Sequence, residues 1–290
     1  MIIRGDNIQV LKGLEDNFID ACITDPPYGM GMEHWDYSVP TVELWKEVFR
    51  VLKPGAFCLS FCSTDLYHRM AVGVEDAGFN IRDMVMWIVT TKMVKKNRLK
   101  PAHEPIVVAQ KPFSGSIKNN FEEWGTGIID TDNTRVAWEG KPPTNWIKGG
   151  HNRRTFGKDG NTIVNQKDKQ FENANPKGRY PSNIIGHFDN PEHQKYFYAP
   201  RVSTKERAGI NNHPTPKPVD LMSYLVKVYS PDGGKVLDPF CGSGSTGVAC
   251  KINGKEFIGI ELEKNYCEIA EKRISQTNEK NYTKGLTFDV

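Results

Sequence analysis

The segment "KVLDPFCGSGSTGVAC", residues 235–250, most directly indicates how this chain folds. An apolar run ends at Asp238, glycines follow at Gly242 and Gly244, and a helix-like stretch begins near Ser245. A strand joined to a helix by a short turn is the repeating unit of a parallel sheet covered by helices. Glycines let the backbone approach a ligand closely, but many plain turns carry glycine too. The segment alone therefore predicts either a plain turn or a ligand-binding loop.

The surrounding sequence narrows the kind of ligand. No Lys-Ser or Lys-Thr pair follows the last glycine, and the GxGxxG spacing of dinucleotide-binding loops is absent. The next apolar run, "FIGIE" at residues 257–261, ends on Glu261, and an acid about twenty residues after such a loop commonly binds ribose hydroxyls. Because Asp238 disfavours a phosphate beside it, we expect a nucleoside-bearing ligand with a positive charge.

The pattern along the chain predicts an α/β fold. Residues 1–111 and 201–290 alternate strand-like and helix-like segments, which predicts a mostly parallel twisted sheet with helices on both faces. Residues 42–55 have the pattern of an amphipathic helix that ends at Pro54-Gly55. Residues 112–200 are rich in Asn, Gly, Lys and Pro but contain three tryptophans, which favours a loop-rich insertion with a functional surface over a disordered linker.

The composition excludes several classes of protein. The chain has 290 residues and a net charge of +3, too small to establish a polyanionic partner by itself. Its six cysteines lie mostly in apolar surroundings without a CxxC pair, which predicts reduced core thiols and a cytoplasmic location. The chain has no apolar run of about 18 residues, so its sequence predicts no membrane span. His187 and His193 have no cysteine nearby, so we expect no metal site.

A second motif, "TDPPYG" at residues 24–29, follows the apolar run "FIDACI". Two prolines fix the backbone directly after Asp25 and directly before Tyr28. By itself, the motif fits a rigid turn after a strand as well as an active site.

Taken together, three segments resemble the amino-group DNA methyltransferase family. "DPFCGSGSTG" resembles the S-adenosylmethionine loop of that family, "TDPPYG" its catalytic tetrapeptide, and "NNHPTPKPVDLM" at residues 211–222 the segment before the loop. "HEPIVVAQKP" at residues 103–112 is a weaker match. The motif order, tetrapeptide first and loop last, resembles the permuted beta group. The resemblance implies a Rossmann-like methyltransferase core whose catalytic half is 1–111 and whose cofactor-binding half is 201–290, with a target-recognition insertion at 112–200.

The resemblance also implies the site residues. The catalytic set is Asp25, Pro26, Pro27 and Tyr28, and the set binding S-adenosyl-L-methionine is Asp6, Asp25, His213, Lys217, Asp238, Phe240, Gly242, Ser243, Gly244 and Glu261. The N-terminal strand "MIIRG" is expected beside the strand that ends at Glu261, so that Asp6 reaches the adenine amino group. Asp6 is equally suited to cap the helix that follows it. His213 and Lys217 are assigned to the methionine part, Lys217 through the carboxylate, or else to packing around the neighbouring prolines.

The chemistry of the tetrapeptide suits methylation of an exocyclic amine. The lone pair of such a nitrogen is delocalised into the ring, and hydrogen-bond acceptors localise it by pulling the amino group toward tetrahedral geometry. The Asp25 carboxylate and the Pro26 carbonyl are suitable acceptors, while Pro27 removes a competing N–H and fixes the carbonyl. Tyr28 offers a face on which a base can stack.

A base inside a duplex must be flipped out to reach such a site, at a cost of a few kcal/mol. Basic segments beside aromatic residues suit phosphate contact and base stacking. We therefore assign DNA contacts to two segments, residues 90–100 and 151–158; solvated basic loops are the alternative. The cations predicted to bind DNA are Lys92, Lys95, Lys96, Arg98, Arg153 and Arg154.

The leading hypothesis is a site-specific DNA adenine N6-methyltransferase of a restriction-modification system. Asp at the first tetrapeptide position is commoner in adenine enzymes of the family, but cytosine N4 stays open. Methylation of RNA or of a protein amide also stays open, as does a catalytically silent binding module. Double-stranded DNA is the expected partner, a companion restriction endonuclease is a further one, and the chain is expected to be a monomer or homodimer.

Overall fold

The structure, a computed structural model, describes residues 1–29, 38–89, 97, 99–138, 146–147, 155–156, 162–163, 171–172, 174–188, 190–195, 197–200 and 217–277. The strands are β1 (Ile2–Arg4), β2 (Ile19–Thr24), β3 (Leu52–Phe61), β4 (Asn80–Ile88), β5 (His103–Gln110), β6 (Trp146–Ile147), β7 (Thr155–Phe156), β8 (Thr162–Ile163), β9 (Phe171–Glu172), β10 (Ile184–Ile185), β11 (Lys235–Asp238) and β12 (Glu256–Glu261). The helices are α1 (Asn7–Lys12), α2 (Val42–Val51), α3 (Tyr67–Asp76), α4 (Ile117–Trp124), α5 (Pro191–Gln194), α6 (Val219–Tyr229), α7 (Ser245–Ile252) and α8 (Lys264–Gln276).

The main sheet, as far as the described residues form it, has eight strands in the order β1-β12-β11-β2-β3-β5-β4-β10. Parallel pairing runs from β1 through β12, β11 and β2 to β3, and β10 is parallel to β4. Strand β5 is antiparallel to both of its neighbours, β3 and β4. The prediction of a mostly parallel α/β sheet is therefore confirmed, as is the prediction that β1 lies beside β12.

Helices cover both faces of this sheet. Along β3, Cys58 belongs to a core cluster shared with α1, α2 and α3, whereas Phe57 and Leu59 belong to a cluster shared with α6, α7 and α8. This alternation follows from the two-residue repeat of a strand, and it explains why the central strands are apolar on both sides. All six cysteines are buried and free, as expected of core thiols.

The predicted helix at 42–55 ends earlier than its sequence pattern indicated. Leu44, Val48 and Val51 are buried as predicted, but α2 stops at Val51 and Leu52 already pairs with Ile19 in the sheet. Pro54 contributes to the early end, because the residue before a proline is disfavoured in helical conformation.

The middle segment contributes to the main sheet. Its strand β10 pairs with β4, while β6 pairs with β9 and β7 with β8 in two small ribbons. The division into 1–111, 112–200 and 201–290 stays a prediction. Within the described ranges, the helices are too short or too polar to cross a membrane.

Candidate active site

The sheet has a switch point between β2 and β11. These strands are neighbours, but the chain continues from β2 to β3 on one side and from β11 to β12 on the other. Open parallel sheets bind ligands in the crevice that forms beyond the carboxyl ends of strands at such a point. Thr24 ends β2 and Asp238 ends β11, so the tetrapeptide and the glycine loop both begin at this crevice.

The Asp238 carboxylate joins the two motifs. The hydroxyl of Thr24 donates to its Oδ1 at 2.6 Å, the hydroxyl of Thr246 donates to its Oδ2 at 2.6 Å, and the backbone N–H of Phe240 donates at 3.1 Å. Only 2% of Asp238 is exposed. Burial raises the pKa of Asp238 to about 6, although these hydrogen bonds oppose the shift. Asp238 therefore fixes the end of β2 against the first turn of α7.

The glycine loop is held in one conformation by α8. Gly242 and Gly244 have φ angles of 51° and 82°, in the left-handed region that favours glycine. A side chain at Gly244 would also meet the backbone of Ala270, because an added Cβ would lie 3.0 Å from its Cα. The Arg273 guanidinium donates to the carbonyl and the hydroxyl of Ser243 at 2.5 and 2.9 Å. Contacts with α8 therefore fix the shape of the loop.

The Glu261 carboxylate is oriented by the same loop. It accepts hydrogen bonds from the backbone N–H groups of Gly242 at 2.8 Å and Glu263 at 2.9 Å. Burial raises the pKa of Glu261, and the backbone hydrogen bonds oppose that shift. Its position at the end of β12 suits an acceptor for ribose hydroxyls, and that role stays a prediction.

Two cavities meet at Asp25 and Phe240. The larger, about 220 Å³, lies between β1, β12 and the loop, and its lining includes Asp6 and Glu261. The smaller, about 40 Å³, lies between β2, β11 and α7. The predicted residues that line the larger cavity are Asp6, Asp25, Pro27, Phe240, Gly242 and Glu261, and those that line the smaller one are Asp25, Lys217, Asp238, Phe240 and Ser243.

Asp6 caps a helix, as its sequence context suggested, and its predicted contact with the adenine amino group stays a prediction. Its side chain accepts a hydrogen bond from the N–H of Gln9 at 3.0 Å and so caps α1. It also lines the larger cavity. The two roles are compatible because a carboxylate has about four acceptor sites.

The tetrapeptide places Asp25 and Tyr28 in contact. The Tyr28 hydroxyl donates to Asp25 Oδ1 at 2.5 Å. Burial, together with the negative charges of Asp25 and Glu104, holds the pKa of Tyr28 well above its usual value, so the phenol stays protonated and donates. The Tyr28 ring packs against both core clusters. Its proposed role as a stacking face for a base stays a prediction.

Lys217 connects Asp25 to a second carboxylate. Its ammonium pairs with Asp25 Oδ2, lies 3.2 Å from the Tyr28 hydroxyl and lies 3.5 Å from Glu104 Oε2. Burial lowers the pKa of Lys217, but the two carboxylates outweigh this effect and raise it overall, so the side chain stays charged. These protein carboxylates are the partners that the structure shows; the predicted contact of Lys217 with a cofactor carboxylate stays a prediction.

Four residues that shape this site were not among the predicted site residues. Thr24 and Thr246 lie inside the two motifs, and both hydroxyls donate to Asp238. The presence of hydroxyl donors in motifs that also contain a strand-ending acid could have indicated these hydrogen bonds. Glu104 lies in the weaker "HEPIVVAQKP" match, and Arg273 lies in α8 without any local signal. Both act across long sequence separations, which local patterns do not report.

Several predicted site residues lie outside the described residues: Lys92, Lys95, Lys96, Arg98, Arg153, Arg154 and His213. In the part of the chain that the structure describes, no group of three or more His, Cys, Asp or Glu side chains is placed to hold a metal ion.

Residues 19–272 match the family of N6 and N4 methyltransferases described as DNA methylases, and the chain belongs to that family of amino-group DNA methyltransferases. It is 25% identical over 283 residues to the Type II methyltransferase M.HpaI of Haemophilus parainfluenzae, covering 94% of this chain and 73% of that protein. It is 24% identical over 319 residues to the Type II methyltransferase M.HindIII of Haemophilus influenzae, covering 94% of both chains.

Solved structures confirm the fold. The complex of M1.HpyAVI with SAM has a TM-score of 0.54 and 23% identity, covering 94% of this chain and 98% of that one. PvuII DNA methyltransferase, described as cytosine-N4-specific, has a TM-score of 0.58 and 15% identity, covering 98% and 89%. The Rossmann-like methyltransferase fold expected from the sequence is therefore correct.

Proposed function

We propose that this DNA methyltransferase transfers a methyl group from S-adenosyl-L-methionine to the exocyclic N6 of an adenine flipped out of double-stranded DNA at a specific sequence. The observation that carries the proposal is the placement of Asp25. Its carboxylate lies where the two cavities meet, at the end of β2 and beside the glycine loop. A hydrogen-bond acceptor at that junction faces both the methyl donor and the incoming amine.

The cavities fit S-adenosyl-L-methionine. The larger one, with the Glu261 carboxylate and the Asp6 side chain in its lining, suits the adenosine part, and the smaller one, with Ser243 and Asp238, suits the methionine part. When bound, this cofactor supplies a methyl group that the sulfonium charge makes electrophilic. M1.HpyAVI, which shares the fold, has been solved with this cofactor, and so has TTHA0409 of Thermus thermophilus.

The chain's own residues prepare the amine for attack. Asp25 accepts a hydrogen bond from the amino group, and the carbonyl of Pro26 accepts another, which localises the lone pair on nitrogen. Lys217 and Tyr28 hold the Asp25 carboxylate in place through one oxygen each. Since a carboxylate has about four acceptor sites, it keeps capacity for the substrate. We also assign to the Asp25 carboxylate the proton that the methylated nitrogen releases.

Asp at the first tetrapeptide position favours adenine by resemblance to adenine enzymes of the family. Methylation of cytosine N4 is the alternative. Binding of the opened duplex is assigned to Lys92, Lys95, Lys96, Arg98, Arg153 and Arg154, because contacts of such cations with phosphates dominate DNA affinity. A companion restriction endonuclease and a homodimer are consistent with the resemblance to Type II enzymes.

The test is methyl transfer from labelled cofactor to unmethylated duplex DNA, to RNA and to protein, followed by separation of the methylated nucleosides. We expect label in DNA as N6-methyladenine. The variant D25N should lower the rate at least about 100-fold, because the charged acceptor acts on the reacting nitrogen. D25N should retain cofactor binding, because Glu261 and the loop remain, and the loss of rate should greatly exceed any loss of cofactor affinity.

The matched control is E47Q, which removes a carboxylate paired with Arg50 on α2, outside both cavities. It should keep the wild-type rate. Label found only in RNA or protein contradicts the proposal. Label found as N4-methylcytosine identifies cytosine as the target base in place of adenine. Binding of cofactor and DNA without any methyl transfer identifies a silent binding module.

A further inference from the structure

The carboxylate of Asp238 connects three segments of the candidate active site. Its Oδ1 accepts hydrogen bonds from the Thr24 hydroxyl at the end of β2 and from the Phe240 N–H in the glycine loop. Its Oδ2 accepts from the Thr246 hydroxyl in α7. Thr24, Asp238 and Thr246 are all buried, and hydrogen bonds in such surroundings hold their partners firmly because water does not compete for them. The carboxylate therefore fixes the three segments relative to one another.

The hydrogen bond from Thr24 lies where β2 and β11 end at the crevice. The register pairs of these two strands extend to Cys22 and Leu237, and Thr24 and Asp238 come after that pair at the carboxyl ends. The Thr24 hydroxyl bridges the strand ends there, 2.6 Å from Asp238 Oδ1. Asp25 is the next residue along the chain. The position of Asp25 relative to the glycine loop therefore depends in part on this side-chain hydrogen bond.

We propose that Thr24 is a positioning residue for methyl transfer: by tying the end of β2 to Asp238, its hydroxyl holds Asp25 at the distance from the methyl donor that the reaction needs. The inference rests on the proposed function, in which Asp25 contacts the reacting amine and the cofactor lies against the glycine loop. Thr24 is not among the described residues that line either cavity, so it acts through its neighbours and touches no ligand. A misplacement of about 1 Å from such a remote change can slow a reaction about 100-fold.

Thr246 offers a comparison at the same carboxylate. Its hydroxyl donates to the other oxygen of Asp238, also at 2.6 Å, and its side chain lines the smaller cavity. The substitutions T24V and T246V each remove one hydroxyl donor from one buried carboxylate, so they should destabilise the fold to a similar degree. They differ in what the donor holds, because Thr24 holds the strand that leads to Asp25 and Thr246 holds the helix that follows the glycine loop. A merely structural role predicts the same kinetic effect for both.

The experiment measures two quantities for the full chain in the wild type, T24V, T24S and T246V. One is the Kd for S-adenosyl-L-methionine, by calorimetric titration. The other is the single-turnover rate of methyl transfer, with saturating cofactor, to the acceptor that the wild type labels.

We expect T24V to lower the rate about 10- to 100-fold, because Asp25 is displaced from the methyl donor. This loss should greatly exceed any loss of cofactor affinity, because Phe240 and Thr246 still bond the loop and α7 to Asp238. T246V should weaken cofactor binding roughly three- to tenfold, since the freed loop must be ordered again when the ligand binds. T24S keeps the donor and should keep the wild-type rate.

A T24V rate equal to that of the wild type overturns the proposal, and so does a loss of rate that weaker cofactor binding fully explains. A T24S variant as slow as T24V overturns it as well. The matched control T134V removes a buried hydroxyl that bonds to the Asp130 carbonyl, outside both cavities, and should change neither quantity. Circular dichroism verifies folding, and T24A supplies a second variant without the donor if T24V does not fold.

The failure of this inference can be distinguished from the failure of the proposed function. Label in cytosine, RNA or protein in place of adenine contradicts the proposed function, whereas the comparison of T24V with T246V on that acceptor still decides this inference. A wild type that transfers no methyl group to any acceptor overturns both. A wild type that methylates adenine while T24V keeps the full rate overturns this inference alone.

Discussion

The hydrogen bond between Thr24 and Asp238 gives a prediction whose size depends on pH. Thr24 is fully buried, and its hydroxyl donates to Asp238 Oδ1 at 2.6 Å. The substitution T24V keeps the shape of the side chain but removes the donor. A hydrogen bond to a charged group contributes about 1.5–3 kcal/mol, whereas a neutral one contributes about 0.5–1.5 kcal/mol. The cost of T24V therefore depends on whether Asp238 is ionised.

The direction in which the cost of T24V changes with pH follows from the pKa of Asp238, which burial raises to about 6 from the usual 3.8 of an aspartate. A carboxyl whose pKa is higher in the folded state binds its proton more tightly there. The stabilisation from that proton is fully present below about pH 4 and is lost as the pH rises through about 6. Removing the Thr24 donor raises the folded-state pKa further, so T24V loses additional stability above pH 6.

We expect T24V to lower the free energy of unfolding by about 1 kcal/mol at pH 4.5 and by about 2–3 kcal/mol at pH 8. Urea unfolding of wild type and variant at both pH values measures this difference. T24S keeps the hydroxyl donor, so its stability should depend on pH as that of the wild type does. T134V removes a buried hydroxyl that donates to the uncharged backbone carbonyl of Asp130, and its cost should not change with pH. A T24V cost that is equal at both pH values would refute the role of Asp238 as an ionised acceptor.

Two further variants test the cofactor and DNA assignments. E261A removes the acceptor predicted for ribose and the anchor of the Gly242 N–H. Because two charge-assisted hydrogen bonds are lost, the Kd for S-adenosyl-L-methionine should rise about 10- to 100-fold in a calorimetric titration. An unchanged Kd would show that Glu261 does not bind the cofactor. The double charge swap K95E/K96E should weaken duplex binding and reduce the slope of log affinity against log salt by about 2. Fluorescence anisotropy over a salt series measures this slope. An unchanged slope would show that these lysines do not contact DNA.

The fold could be predicted from sequence because its evidence is local. The strand–glycine–helix segment around Gly242 and the alternation of apolar runs report directly on neighbouring residues, and these features specify a parallel sheet. Strand order is not local. Nothing in the sequence of β5 distinguishes an antiparallel strand between β3 and β4 from one more parallel strand, because pairing depends on which edges are available after the rest of the sheet forms.

The site could be predicted in its motifs but not in its connections. Asp25, Asp238 and Glu261 lie at strand ends, where the sequence indicated ligand binding. The contact of Lys217 with Asp25 spans 192 residues, and that of Thr24 with Asp238 spans 214 residues. These contacts arise where β2 and β11 become neighbours at the switch point. The ion pairs of Lys217 with Asp25 and Glu104 were not predicted for the same reason, because the position of Glu104 follows from the sheet rather than from its own motif.

The activity proposed for this chain is methylation of adenine N6 in DNA at a specific sequence. The most direct measurement is a map of methylated bases in genomic DNA from a methylation-deficient host that expresses this chain, compared with the same host expressing D25N. We expect N6-methyladenine at one short recurrent sequence in the first DNA and none in the second. The proposed activity would be contradicted if DNA from the host that expresses the wild-type chain lacked N6-methyladenine, or carried N4-methylcytosine in its place.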